Sequence, residues 1–148
     1  MRKIVLSFLT LLAISCDKND NTPDCSAVDC ISLAIYVKLI NSKTSNNYIQ
    51  ENNLTSDNIS IINVNNESIS FFILPESESI YNKTIAIVPN QLNQTISVEN
   101  LTEILLLYEI TPPKTNSCCD FGDIENLEVT SEYSFEFDDN VNMLTIYI

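Results

Sequence analysis

Five cysteines and no histidine set the chemistry open to this chain. Without an imidazole there is no serine or cysteine triad, and most zinc-hydrolase sites lose their usual ligand. Four of the cysteines fall in two tight groups, Cys25 with Cys30 and the adjacent Cys118-Cys119. A four-thiolate zinc site wants two short C-x-x-C knuckles, which C-x4-C and C-C do not supply, and neither spacing suits a redox dithiol. Carboxylates are the remaining candidates. Asp120 with Asp123 and Asp138 with Asp139 are close pairs that could serve acid–base chemistry or hold calcium, yet each sits in a turn-like stretch where acidic residues are ordinary. A glycosidase would also need a cleft with two carboxyls held about 5 to 10 Å apart. The expectation is a protein that is not an enzyme and takes no cofactor and no metal.

The fifth cysteine, Cys16, stands apart. It follows Arg2-Lys3, an apolar run over residues 4–14 broken only by Ser7 and Thr10, and Ser15. That is a positive n-region, a short h-region and a small residue at the cut. The run is too short to cross a ~30 Å hydrocarbon core, which takes about 20 helical residues. The ending Ala13-Ile14-Ser15-Cys16 resembles the lipobox of bacterial lipoproteins, which implies acylation of Cys16 and removal of residues 1–15 as a signal peptide; the competing reading is an ordinary secretory signal that a cysteine happens to follow. Residues 16–29 then form a flexible tether, polar and without apolar periodicity from Asp17 to Asp24. The run Cys16-Asp17-Lys18-Asn19-Asp20 also resembles the acidic, lysine-containing stretch behind the lipidated cysteine of surface-exposed lipoproteins of Bacteroidota. It implies outer-membrane anchoring with the domain facing the cell surface, the periplasmic face being the alternative.

With Cys16 given to lipid, an even number of cysteines remains in an exported chain, which favours two disulfides. Vicinal cysteines rarely pair with each other, because the eight-membered ring strains the peptide bond. Cross-bridges from Cys25 and Cys30 to Cys118 and Cys119 are the first choice. A local Cys25–Cys30 bridge plus a vicinal pair is the alternative. Cross-bridges would clamp the N-terminal segment to the body of the domain and, through chain entropy, restrict the unfolded state by roughly 4 kcal/mol.

The elements that carry these residues are strands. The period is two from residue 31 to 40, with Ile31, Leu33, Ile35, Val37 and Leu39 on one face. Residues 41–57 read as a polar loop, apolar only at Tyr48-Ile49 and Leu54, with room for a short strand. Residues 58–64 and 68–74 suggest a hairpin about Asn65-Asn66-Glu67. Short strands follow over 84–88 and 91–98. Residues 102–110 are the most apolar and are expected in the middle of a sheet, buried on both faces, until Thr111-Pro112-Pro113 ends them. Strands over 126–129, 133–137 and 141–148 close the chain, the last two as a hairpin turning at Asp138-Asp139-Asn140. About eight strands and no convincing helix predict an all-β fold, a single β-sandwich of immunoglobulin-like or transthyretin-like type over residues 30–148, with a small barrel not separable by pattern. Gly122 is the only glycine, so left-handed turn positions must fall largely to asparagine.

Charge limits the partners. The 148-residue chain carries −13, and loss of Arg2 and Lys3 with the signal peptide takes it to −15. Such a surface repels nucleic-acid phosphates, so no nucleic-acid partner is expected. Carbohydrate sites favour exposed aromatics, and the chain has no tryptophan. Of its tyrosines, most fall on predicted strands, where packing is the natural use; Tyr48 and Tyr81, in loops, are the candidate ligand contacts.

The lipobox, Cys25-Ser26-Ala27-Val28-Asp29-Cys30 before an alternating strand, the 44–48 turn region and Cys118-Cys119 before a closing hairpin together resemble a group of small flavobacterial surface lipoproteins. The resemblance implies a compartment and a fold; it carries over no catalytic or binding residue. The expected function is a lipid-anchored, non-catalytic binding or adhesion module, or an accessory subunit, with an outer-membrane protein or a glycan as partner. The alternative is a structural envelope component without a specific ligand.

Overall fold

The computed structural model describes Cys25 and residues 28–30, 33–89 and 93–148. Cys16 and the start of the tether lie outside the described residues. Among the described residues the fold is a β-sandwich of nine strands. One sheet has the order β3-β4-β1-β9-β8 and the other β2-β5-β6-β7, with β1 at Ile35–Ile40, β2 at Ile59–Asn63, β3 at Phe71–Ile73, β4 at Ile85–Ile87, β5 at Gln94–Val98, β6 at Ile104–Ile110, β7 at Ile124–Thr130, β8 at Ser134–Asp138 and β9 at Met143–Tyr147. The sheets are not joined into a closed barrel.

Alternation in sequence becomes a buried face. In β1, Ile35, Val37 and Leu39 are fully buried while Tyr36, Lys38 and Ile40 point away from the core. They share one apolar cluster with Ile85 and Ile87, Ile61, Ile96, Ile104, Leu106, Leu144 and Ile146. Burying each such aliphatic side chain contributes about 1.5–3 kcal/mol. The first and last strands meet in parallel, Tyr36 opposite Met143 through Ile40 opposite Tyr147. Backbone bonds continue that seam at both ends, from Tyr36 N to the Asn142 carbonyl and from Ile148 N to the Ile40 carbonyl, at 2.9 and 2.8 Å.

Three expectations are corrected. The stretches 58–64 and 68–74 do not form a hairpin of two paired strands: β2 pairs with β5 in one sheet and β3 with β4 in the other. The turn itself forms, because the Asn63 carboxamide oxygen accepts from the backbone N–H groups of Asn65 and Glu67 and Ile69 N donates to the Ile61 carbonyl. The chain then crosses to the other sheet, where Phe71 and Ile73 reach the core. Second, β6 lies inside its sheet but is not buried on both faces, since Leu105 and Leu107 are only half-buried on the side away from the core. Third, the polar loop after β1 carries a helical turn, α1 at Tyr48–Glu51, capped by the Asn47 side chain on Gln50 N, and a single 3-10 turn at Ser56–Asn58.

Asparagine does take the left-handed positions. Among the described residues, Asn53, Asn66, Asn100, Asn126 and Asn142 have positive φ, joined by Ser45, Lys83 and Gly122. At Gly122 no other residue fits, because a Cβ there would lie 1.8 Å from the Thr111 carbonyl oxygen. Asn126 marks a bulge, where β7 carries one residue more than β6 between the pairs Leu107–Glu128 and Glu109–Glu125.

Candidate functional site

Two regions gather most of the candidate carboxylates and cysteines. The first is the clamp. Cys25 is bonded to Cys118 and Cys30 to Cys119, with Cα separations of 5.3 and 5.2 Å. The bridges tie the segment before β1 to the loop between β6 and β7. That loop is built around Asp120. One carboxylate oxygen accepts from Lys114 N, Thr115 N and Thr115 Oγ1 at 3.0, 2.7 and 2.8 Å, and the other accepts from Gly122 N at 3.1 Å. The Thr115 hydroxyl first, then the backbone donors, hold the Asp120 carboxyl below its ordinary range. Asp123 is engaged as well, by Lys114 Nζ at 2.6 Å, a contact that raises the lysine. Both predicted carboxylates thus have protein donors.

The second region is the outer face of the five-stranded sheet. Register fixes its rows. Phe72, Ala86, Tyr36, Met143 and Asp138 run across the sheet from β3 to β8, and Lys38, Thr145 and Glu136 form the next row. An open hollow of about 350 Å³ lies over β9, with Lys38 and Ile80 on one side and Glu136 and Asp138 on the other. Its floor is Met143 and Thr145. Lys38 Nζ donates to the Ile80 carbonyl at 3.3 Å. The Tyr147 hydroxyl donates to Glu136 at 3.0 Å, and this bond, with burial next, raises the Tyr147 pKa.

The predicted ligand contacts are placed differently from one another. Tyr81 packs at a tilt against Tyr36, ring centroids 4.6 Å apart and planes 53° to each other, beside the hollow's Ile80. Tyr48 packs against the core at the start of α1. The loops that carry them are joined, since Asn47 Nδ2 donates to the Asn82 carbonyl at 3.0 Å and Gln50 Nε2 to Glu76 at 3.1 Å. Asp138 ends β8 rather than lying in the turn, and its carboxylate accepts from Asn140. Lys38, Tyr36 and Glu136 were not among the sequence candidates. Alternation marks them as outward-facing, but only the parallel β1–β9 pairing brings them into adjacent rows.

Among the described residues no three acidic, histidine or cysteine side chains gather as metal ligands, and no helix is long and apolar enough to cross a membrane. Shallow and open, with one ammonium, two carboxylates and a floor of one methionine and one threonine, the face suits contact with an extended partner. Fold and bridges define a disulfide-clamped β-sandwich. The chain matches no family model, and no curated protein or solved structure is significantly similar to it.

Proposed function

We propose that the protein is a lipid-anchored lipoprotein of the cell envelope, held in the outer membrane through Cys16 with its domain facing the cell surface, and that it acts as a non-catalytic binding or accessory module. The observation that carries this reading is the clamp. Two cross-bridges fasten the segment just behind Cys16 to the body of the sandwich. Disulfides of this kind persist in oxidising, extracytoplasmic compartments. A domain tethered from its N-terminus benefits from an attachment point that does not peel away with β1, and Cys25 supplies one. The open outer face of the five-stranded sheet supports a binding role, and its charged, shallow form favours an outer-membrane protein over a glycan as partner.

Cell fractionation tests the anchor. Cys16→Ala should move the protein from the membrane pellet to the soluble fraction, and continued membrane fractionation would overturn it. Protease shaving of intact cells should release the domain; protection until the outer membrane is permeabilised would place it on the periplasmic side. Glycan-array binding that is lost in Tyr81→Ala would make the partner a sugar.

A further inference from the structure

The two sheets present four edge strands, and three are blunted. The second half of β2 is covered by the chain's own 67–69 segment, through Ile69 N to the Ile61 carbonyl, Asn63 N to the Glu67 carbonyl and the bridge between Ile62 and Ser68. With only three residues, β3 offers a short ladder. The bulge at Asn126 breaks β7 and interrupts any regular neighbour.

Strand β8 is not blunted in these ways. Its five residues, Ser134 to Asp138, pair in unbroken register with β9 alone. They contain no proline, no bulge and no positive φ. One row of backbone N–H and C=O groups therefore faces away from the sheet, and among the described residues no backbone bond reaches it. Its side chains alternate. Glu136 and Asp138 point to the outer face beside the hollow, and Phe135 and Phe137 to the other. Phe135 is 43% exposed although it shares the face of the buried Ile146.

An unpaired, regular edge invites an added strand. Charge selects which one. A second copy of β8 laid antiparallel across Glu136 would set carboxylate against carboxylate, which is destabilising directly across a ladder. The complementary neighbour carries lysine or arginine at alternate positions, opposite Glu136 and Asp138, and apolar residues between them, opposite Phe135 and Phe137. We infer that β8 is a strand-addition site for an extended, alternately basic and apolar segment of a partner protein. The inference rests on the reading of this domain as a binding module and names the partner's chemistry. Glu136 and Asp138 then guard the edge against self-association and also select the partner.

The test uses a capped peptide alternating valine and lysine as probe, with the purified disulfide-bonded protein and NMR titration. Amide shifts should concentrate on β8 and β9. A block peptide of the same composition should bind at least roughly tenfold more weakly. N-methylation of the probe's alternate amides along one edge should abolish binding, whereas methylation along the other edge should not; simple charge attraction would ignore both changes. Glu136→Lys combined with Asp138→Lys should lose the lysine probe and gain an alternating valine–glutamate peptide, and that gain proves the variant folded. Equal binding of the block peptide, indifference to N-methylation, or shifts centred on β7 would overturn strand addition. Those outcomes leave the anchored reading standing if Cys16→Ala still releases the protein, and membrane retention of that variant would remove the anchor without touching the peptide result.

Discussion

The loop between β6 and β7 and the edge strand β8 are both exposed, yet they are built in opposite ways. The loop has no strand ladder of its own, but two disulfides, four hydrogen bonds to Asp120 and the Lys114–Asp123 ion pair hold it. In β8 there is a regular ladder on one side and, among the described residues, no backbone bond on the other, with the Tyr147–Glu136 bond as a side-chain support. Cross-links are concentrated where the N-terminal segment joins the body. The unpaired backbone is left at a strand whose carboxylates discourage copies of itself. Under the proposed function, one region bears the attachment and the other the contact.

Unfastening the loop should have the largest effect. Once one bridge is closed, the other closes only a small ring of chain, because Cys25 and Cys30 lie near each other, as do Cys118 and Cys119. Replacing one bonded pair by serines should therefore cost about 2 kcal/mol, and replacing the second pair a further 4 to 5 kcal/mol, because the remaining loop spans about ninety residues. Urea denaturation of the three variants measures this, and equal, additive losses would contradict it. Gly122→Ala comes next. It forces a left-handed non-glycine residue and a clash with the Thr111 carbonyl, for a loss of more than about 2 kcal/mol. By contrast, Phe135→Ser at the edge should change stability by less than about 1 kcal/mol, since the ring is already partly solvated. A large loss there would mean that β8 is a structural edge rather than a free one.

The clamp was more legible in the sequence than the edge was. Cross-pairing follows from counting Cys16 apart and from the strain of a vicinal ring, and the bridges Cys25–Cys118 and Cys30–Cys119 agree with it. The scarcity of glycine foretold left-handed asparagines, and Asn66 and Asn142 take that role in turns. Period-two alternation correctly assigned Val37 and Leu39 to the core and Lys38 to the opposite face. Alternation gives a face, however, and not a neighbour. It could not tell that Phe71 leaves Ile62 for the opposite sheet, nor that β1 runs parallel to β9, more than a hundred residues on. The rows joining Lys38 to Glu136 depend on that pairing. The apolar run of β6 misled in a different way, because Leu105 and Leu107 are hydrophobic yet only half-buried on the face away from the core.

The smallest expected effects separate the two regions by pH. Asp120 in the clamp has a lowered pKa, so the folded protein binds fewer protons than the unfolded chain just below the ordinary carboxylate range. Its contribution is complete above that range and is lost as pH falls through the lowered value. Tyr147 beside β8 has a raised pKa, so its contribution is complete below the ordinary phenol value and disappears as pH rises through the raised one. Both groups keep access to solvent, so screening keeps each effect small. Acid should thus loosen the clamp and alkali the edge. The amide of Gly122, which donates to Asp120, reports the first by NMR, and phenolate absorbance compared with Tyr147→Phe reports the second. Asp120→Asn should abolish the acid step in the Gly122 amide while leaving the Tyr147 titration in place. A Gly122 amide that titrates in the ordinary carboxylate range would show that the Asp120 bonds do not organise the loop in solution, and the contrast between a fastened loop and a free edge would then rest on the disulfides alone.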